Sequence, residues 1–193
     1  FQPVAAIPDE TSDLARFAAD VAARMNAGAW APAAGGPAFV SRAPGRLDVM
    51  GGIADYSGAL VLQWPIREAT RVAVRPWAER CVAITSMGAD GTERRCDVPL
   101  EIVADPRQSY DAARAWFAAD PSRHWAAYVA GVFLVLAREH AVPFTGGASI
   151  LVESDVPEGK GVSSSAAIEA ATMEAVTSAW NVSIDPRARA VRC

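Results

Sequence analysis

An apolar stretch from Gly147 to Val156 runs into a turn rich in glycine and serine, and an alanine-rich stretch leaves it and continues to about Trp180. Residues Asp155 to Ala167 read Asp-Val-Pro-Glu-Gly-Lys-Gly-Val-Ser-Ser-Ser-Ala-Ala. This order of strand, tight loop and helix constrains the chain more than any other segment. Gly159 and Gly161 permit positive φ and close approach of a ligand to the backbone. The first amides of the helix lack intrahelical partners, and the helix dipole favours negative charge there. Ser163, Ser164 and Ser165 can cap the helix, hold phosphate oxygens or ligate a cation. Lys160 is the only lysine in the chain. Two readings are open at this point, a capped helix or a phosphate site. The common P-loop is not one of them, because it places Lys directly before Ser or Thr, and here Gly161 and Val162 intervene.

Composition removes several other classes. With 193 residues, 51% hydrophobic and 21% charged, the chain can bury a core, and its composition argues against disorder. No apolar run has the length of a membrane span, and Phe1 to Glu10 lacks the blocks of a signal peptide. The net charge of −4 offers no global attraction to nucleic acid or an acidic membrane, so neither is expected as a partner. Cys81, Cys96 and Cys193 are too few and too far apart for a disulfide framework, and with His124 and His140 they make a poor zinc set. The expected compartment is reducing cytosol. No Gly-x-Ser-x-Gly elbow supports a serine hydrolase.

Periodicity predicts a helix from Thr11 to about Asn26, a Gly/Pro/Ala-rich loop to Pro37, and a strand from Phe39 to Arg42 ending at Pro44. Strand character follows at Ala59–Ile66, Ala69–Arg75, Cys81–Met87 and Arg94–Leu100, with a turn at Gly88–Gly91. Helices are expected over Pro106–Phe117 and Pro121–His140, and a further one starting at Asp185-Pro186. Strands followed by helices predict an α+β layered domain with a mixed, mostly antiparallel sheet covered by helices. The missing initiator Met and the helix begun near Cys193 lead us to expect one domain over 1–193, truncated at its C-terminus.

A second dense segment, Arg42 to Gly58, reads Arg-Ala-Pro-Gly-Arg-Leu-Asp-Val-Met-Gly-Gly-Ile-Ala-Asp-Tyr-Ser-Gly. Arg46, Asp48 and Asp55 stand among its glycines. A carboxylate can accept bidentate hydrogen bonds from sugar hydroxyls, and a guanidinium can neutralise a transferring phosphoryl group. A hairpin with ordinary turn residues is the alternative.

Together the two segments resemble the first and second motifs of the GHMP sugar and metabolite kinases, over about residues 37 to 185. Ala43-Pro44-Gly45-Arg46 resembles the opening of the galactokinase signature, Gly51 to Gly58 its sugar-binding continuation, and Pro157 to Ala167 the phosphate-binding motif. Within the family the segments are similar to the arabinokinases of plant type. Where galactokinases carry Glu-His, this chain has Gly52 and Ile53, while the sugar-binding Asp is kept as Asp55.

The resemblance implies an ATP-dependent sugar 1-kinase, with Mg²⁺ and with L-arabinose as the expected sugar. Arg46 would stabilise the transition state, and Asp55, Gly52, Ile53 and Tyr56 would bind the sugar. Pro157, Gly159, Lys160, Gly161, Val162, Ser163, Ser164 and Ser165 would bind the nucleotide, with Ser165 on the metal. Glu153 and Asp155 receive no role. The general base would lie outside the chain, in the missing C-terminal part of the same protein, so the fragment alone would be inactive. A kinase for another sugar and a non-catalytic sensor of sugar and ATP are the alternatives.

Overall fold

A computed structural model describes residues 13–30, 36–52, 60–88 and 91–185. The calls on Ile53, Asp55, Tyr56, the Thr11 start and the helix after Asp185 lie outside the described residues. Among the described residues a five-stranded mixed sheet has the order β1-β2-β5-β3-β4, formed by β1 (Phe39–Met50), β2 (Leu62–Pro76), β3 (Cys81–Met87), β4 (Glu93–Pro99) and β5 (Ala148–Ser154). Every pairing is antiparallel except β3 with β5. The α+β architecture with a mostly antiparallel sheet is therefore as expected.

Strand β5 lies between β2 and β3, and its two faces are covered by helices, Ile150 and Val152 on one side and Leu151 on the other. That is why it reads as an apolar run rather than an alternation. On one face sit α2 (Leu100–Val103), α3 (Tyr110–Ala118), a 3-10 helix over Pro121–Ala126, α4 (Ala127–Glu139) and α5 (Ser164–Ala179). Phe133, Leu136, Ile84, Ile150 and Val74 meet there in the main core. The small residues Ala167, Ala171 and Ala175 are buried on α5 and let that helix lie close to β1 and β2. The Ser41 hydroxyl donates to the Ala171 carbonyl at 2.6 Å across this contact. On the opposite face α1 (Asp13–Asn26) packs Phe17 and Val21 on Ala73 and Leu151.

Three expectations need correction. Strand β1 does not end at Pro44 but runs on to Met50. It is an edge strand, so a residue without an N–H costs no ladder bond there, and the register shifts between Pro44 and Arg46 as it would around a bulge at Gly45. The two predicted strands Ala59–Ile66 and Ala69–Arg75 form one strand, β2, because β5 pairs only with Thr70–Pro76 and leaves Pro65 on an open edge. The predicted helix Pro121–His140 begins as a 3-10 turn, in which the Asp120 carboxylate accepts from the Ser122 amide. Beyond Gly45 the β1–β2 ribbon projects from the core, with Leu47, Val49, Met50, Leu62 and Trp64 exposed. No described helix is long and apolar enough to cross a membrane.

Candidate functional site

The two segments singled out in the sequence meet at the root of the projecting ribbon. The Arg46 amide donates to the Val162 carbonyl at 3.0 Å. Its guanidinium Nε donates to Ser163 Oγ at 3.3 Å. Gly45 lets this happen. A Cβ there would lie 2.8 Å from Val156 Cγ1, 2.9 Å from the Val162 carbonyl oxygen and 3.0 Å from Ile66 Cδ1. A residue with a side chain would push the strand off the loop.

The loop between β5 and α5 takes its shape from left-handed backbone. Gly159 has φ 68°, Gly161 φ 71° and Ser163 φ 57°. For a serine that conformation is uncommon and costs about 1 kcal/mol or more. Ser163 stands at the N-cap position of α5, yet its side chain makes no capping hydrogen bond. The contrast with Ser109 is direct, since Ser109 accepts from the Ala112 amide and caps α3. The capped-helix reading of the serines therefore fails for Ser163. Its hydroxyl goes to Arg46, and the N-terminus of α5 is left without a side-chain cap. Ser164 and Ser165 are half-buried behind it, whereas Pro157, Gly159 and Lys160 are exposed.

The chain is similar to known proteins. The model of the galactokinase galactose-binding signature matches residues 31–76. The model of the GHMP kinases N terminal domain matches residues 127–192. The chain belongs to the GHMP kinase family. An L-arabinokinase of Arabidopsis thaliana is 48% identical, over 80% of this chain and 17% of that protein. A galactokinase of Chloroflexus aggregans is 36% identical, over 70% of this chain and 30% of that protein. The chain thus spans less than a third of either relative. The same GHMP fold is seen in the structure of Lactococcus lactis galactokinase complexed with galactose (TM-score 0.62, 19% identity, 80% of this chain and 36% of that one). Methanococcus jannaschii mevalonate kinase shares it too (TM-score 0.60, 16% identity, 81% and 45%).

Within this GHMP kinase domain the residues suit an anionic ligand. Positive-φ glycines, an uncapped helix start and one guanidinium converge on the loop. At Gly52 a Cβ would meet only the carboxylate of Asp48, the free end of an exposed side chain that can turn away.

Two features escaped sequence reasoning. Arg94 on β4 pairs with the loop residue Glu158 at 3.5 Å and sits 5.5 Å above the Trp125 ring. With Arg95, Ser122, His124 and Trp125 it lines an open cavity of about 520 Å³. Arg94 and Arg95 lie on β4 and Trp125 on the 3-10 helix, far apart in the chain, so only tertiary packing brings them together, with Arg94 reaching the loop. The second feature is the cluster at the base of the loop. Arg71 is fully buried and donates to Asp13 at 2.9 Å and to Glu153 and Asp155 at 2.8 Å each. Burial alone would lower its pKa, but its three carboxylate partners hold the guanidinium above its ordinary value.

Proposed function

We propose that the chain is the nucleotide- and sugar-binding part of an ATP-dependent sugar 1-kinase acting on L-arabinose. The contact of Arg46 with Val162 and Ser163 is the observation that carries this, because it joins the sugar-signature strand to the phosphate loop in one site. ATP supplies the phosphoryl group, and Mg²⁺ neutralises its oxygens. In our reading the backbone of Pro157 to Val162 cradles phosphates, and Ser163 and Ser164 bind phosphate oxygens. Ser165 is the metal ligand, and Lys160 adds a point charge from solvent. Trp125 offers a stacking plane for the nucleotide base in the adjoining cavity, with Arg94 above it. Arg46 stays beside the loop and neutralises charge as the phosphoryl group moves toward the anomeric hydroxyl. Asp55 holds sugar hydroxyls, flanked by Gly52, Ile53 and Tyr56. A pentose lacks the exocyclic hydroxymethyl group of galactose, so it needs fewer polar partners where Gly52 and Ile53 stand. The 48% identity to an arabinokinase supports the same sugar. The general base belongs to the part of the longer protein outside residues 1–193, and free thiols at Cys81 and Cys96 accord with a reducing cytosol.

Coupled assays on this chain and on the longer protein test the proposal. The longer protein should form L-arabinose 1-phosphate, and this chain alone should bind MgATP without turnover. Turnover by the 193-residue chain would overturn the placement of the base. Galactose is the second reading, favoured by the match to the galactose-binding signature. Formation of galactose 1-phosphate but no arabinose 1-phosphate would establish it.

A further inference from the structure

The guanidinium of Arg71 faces the foot of the site rather than the site itself. Arg42, Arg71 and Glu153 stand opposite one another across β1, β2 and β5. All three therefore point to the face that α1 covers. Asp13, in the first turn of α1, closes the row: its carboxylate accepts from Arg71 Nη1 at 2.9 Å and from Arg42 Nε at 3.0 and 2.9 Å. Arg16 adds a weaker pair to Glu153 at 3.3 Å. One carboxylate thus ties β1 to β2, and Arg71 on β2 reaches on to the end of β5, from which the loop leaves. Arg42 precedes Arg46 on β1. Arg71 holds Asp155, the residue at which β5 passes into the loop.

The path continues from there by direct contact. The Asp155 amide donates to the Ala69 carbonyl at 3.1 Å. The next residue, Val156, is buried and is the neighbour against which Gly45 fits. Gly45 in turn delivers Arg46 to Val162 and Ser163. A group that served packing alone would not need to be charged here, since apolar replacements of buried ion pairs are often neutral or stabilising. The same helix already packs Phe17 and Val21 on this face. Arg75 is buried at the far end of this face, where it donates to the Trp30 carbonyl, but the row bound by carboxylates lies at the level of the loop root, where it fixes direction as well as distance.

We propose that Arg71 is a positioning residue. Through Asp155 it sets the foot of the phosphate loop, and through Asp13 and Arg42 it sets the strand bearing Arg46, so that the guanidinium and the loop keep one separation. This rests on the nucleotide-site reading for its consequence, but its structural half can be measured without nucleotide.

The test compares Arg71→Met, Arg71→Lys and Asp155→Asn with the unaltered 193-residue chain. Asp155 is half-exposed, so Asp155→Asn carries the test if Arg71→Met does not fold. Amide exchange is read at residues 156–163 and, as an internal reference, in β3 and β4. MgATP affinity is read by calorimetry. Arg71→Met and Asp155→Asn should each speed exchange at 156–163 about tenfold relative to the reference strands and weaken MgATP about tenfold, the size usual for supporting residues around a site. Arg71→Lys keeps the charge and should recover part of both. Arg114→Ala, an exposed pair member on α3, should change neither. Exchange that rises equally in the loop and in the reference strands, or not at all, overturns the positioning role. If the unaltered chain does not bind MgATP while exchange changes only at the loop, the nucleotide reading fails and the positioning of the loop stands.

Discussion

Helices α4 and α5 press a continuous apolar layer against one face of the sheet, whereas α1 meets the opposite face through a small apolar cluster and a row of charges. Two carboxylates show what this difference means. Glu169 on α5 lines a mostly apolar pocket with Tyr110, Tyr128 and Met173, and burial alone pushes its pKa from 4.5 to about 7. Asp13 on α1 is also partly buried, which by itself would raise its pKa. Hydrogen bonds and charges from Arg42 and Arg71 override that and hold it below its ordinary 3.8. One face tolerates a charge poorly, and the other is organised around charges. The apolar face supplies most of the stability through dispersion and water exclusion, which have no direction. The α1 face supplies hydrogen bonds with fixed geometry at the level of the loop.

The contrast can be broken most forcefully on the apolar side. Phe133 is fully buried, tilted against Phe144 and edge-to-face with Trp180. Phe133→Ala should lower the unfolding free energy by about 3–5 kcal/mol in denaturant titration, with exchange in the loop otherwise unchanged. A loss confined to the loop would reverse the assignment of the two faces. Gly45→Ala probes the seam between ribbon and loop. Its new methyl group meets Val156, the Val162 carbonyl and Ile66, so a loss of about 1–3 kcal/mol is expected, together with weaker MgATP binding. Unchanged binding would show that the seam does not place Arg46.

The two carboxylates give smaller effects of opposite sign. Between pH 4.5 and about 7 the unfolded chain releases the Glu169 proton while the folded chain keeps it, so stability falls as pH rises through that window. Glu169→Gln should remove this fall, raising the melting temperature at pH 8 and leaving it unchanged at pH 4. For Asp13 the folded pKa is lowered, so its contribution is present above pH 3.8 and is lost as pH falls through the folded value. Asp13→Asn should lower stability at neutral pH and flatten the acid limb. A melting profile in which both variants flatten the same window would end the comparison.

Local periodicity and turn chemistry made much of this legible. The strand into the glycine loop and the helix out of it were expected at Gly147–Val156 and to Trp180, and stand at Ala148–Ser154 and Ser164–Ala179. The β3–β4 turn closes as expected, with the Gly88 amide donating to the Thr92 carbonyl at 2.8 Å. Boundaries went wrong at Pro44 and at the gap over Arg67 and Glu68, and in the first case the reason is that a proline breaks a strand only where its missing N–H would have been paired. Pro44 stands on the edge strand and is paired on one side only, with Ala69, and nothing local in the chain says so.

By itself the sequence supplied the candidate residues for an anion and a sugar, since glycine, serine and arginine bring their φ range, hydroxyl and charge wherever they stand. It also determined the family, because the two motifs keep their order and spacing. Only the tertiary structure decided that Arg46 touches the loop, that Ser163 turns to it instead of capping α5, and that Arg71 is buried among three carboxylates. Those facts depend on which strands become neighbours. Strand pairing joins residues far apart along the chain, so no local pattern of residues encodes it.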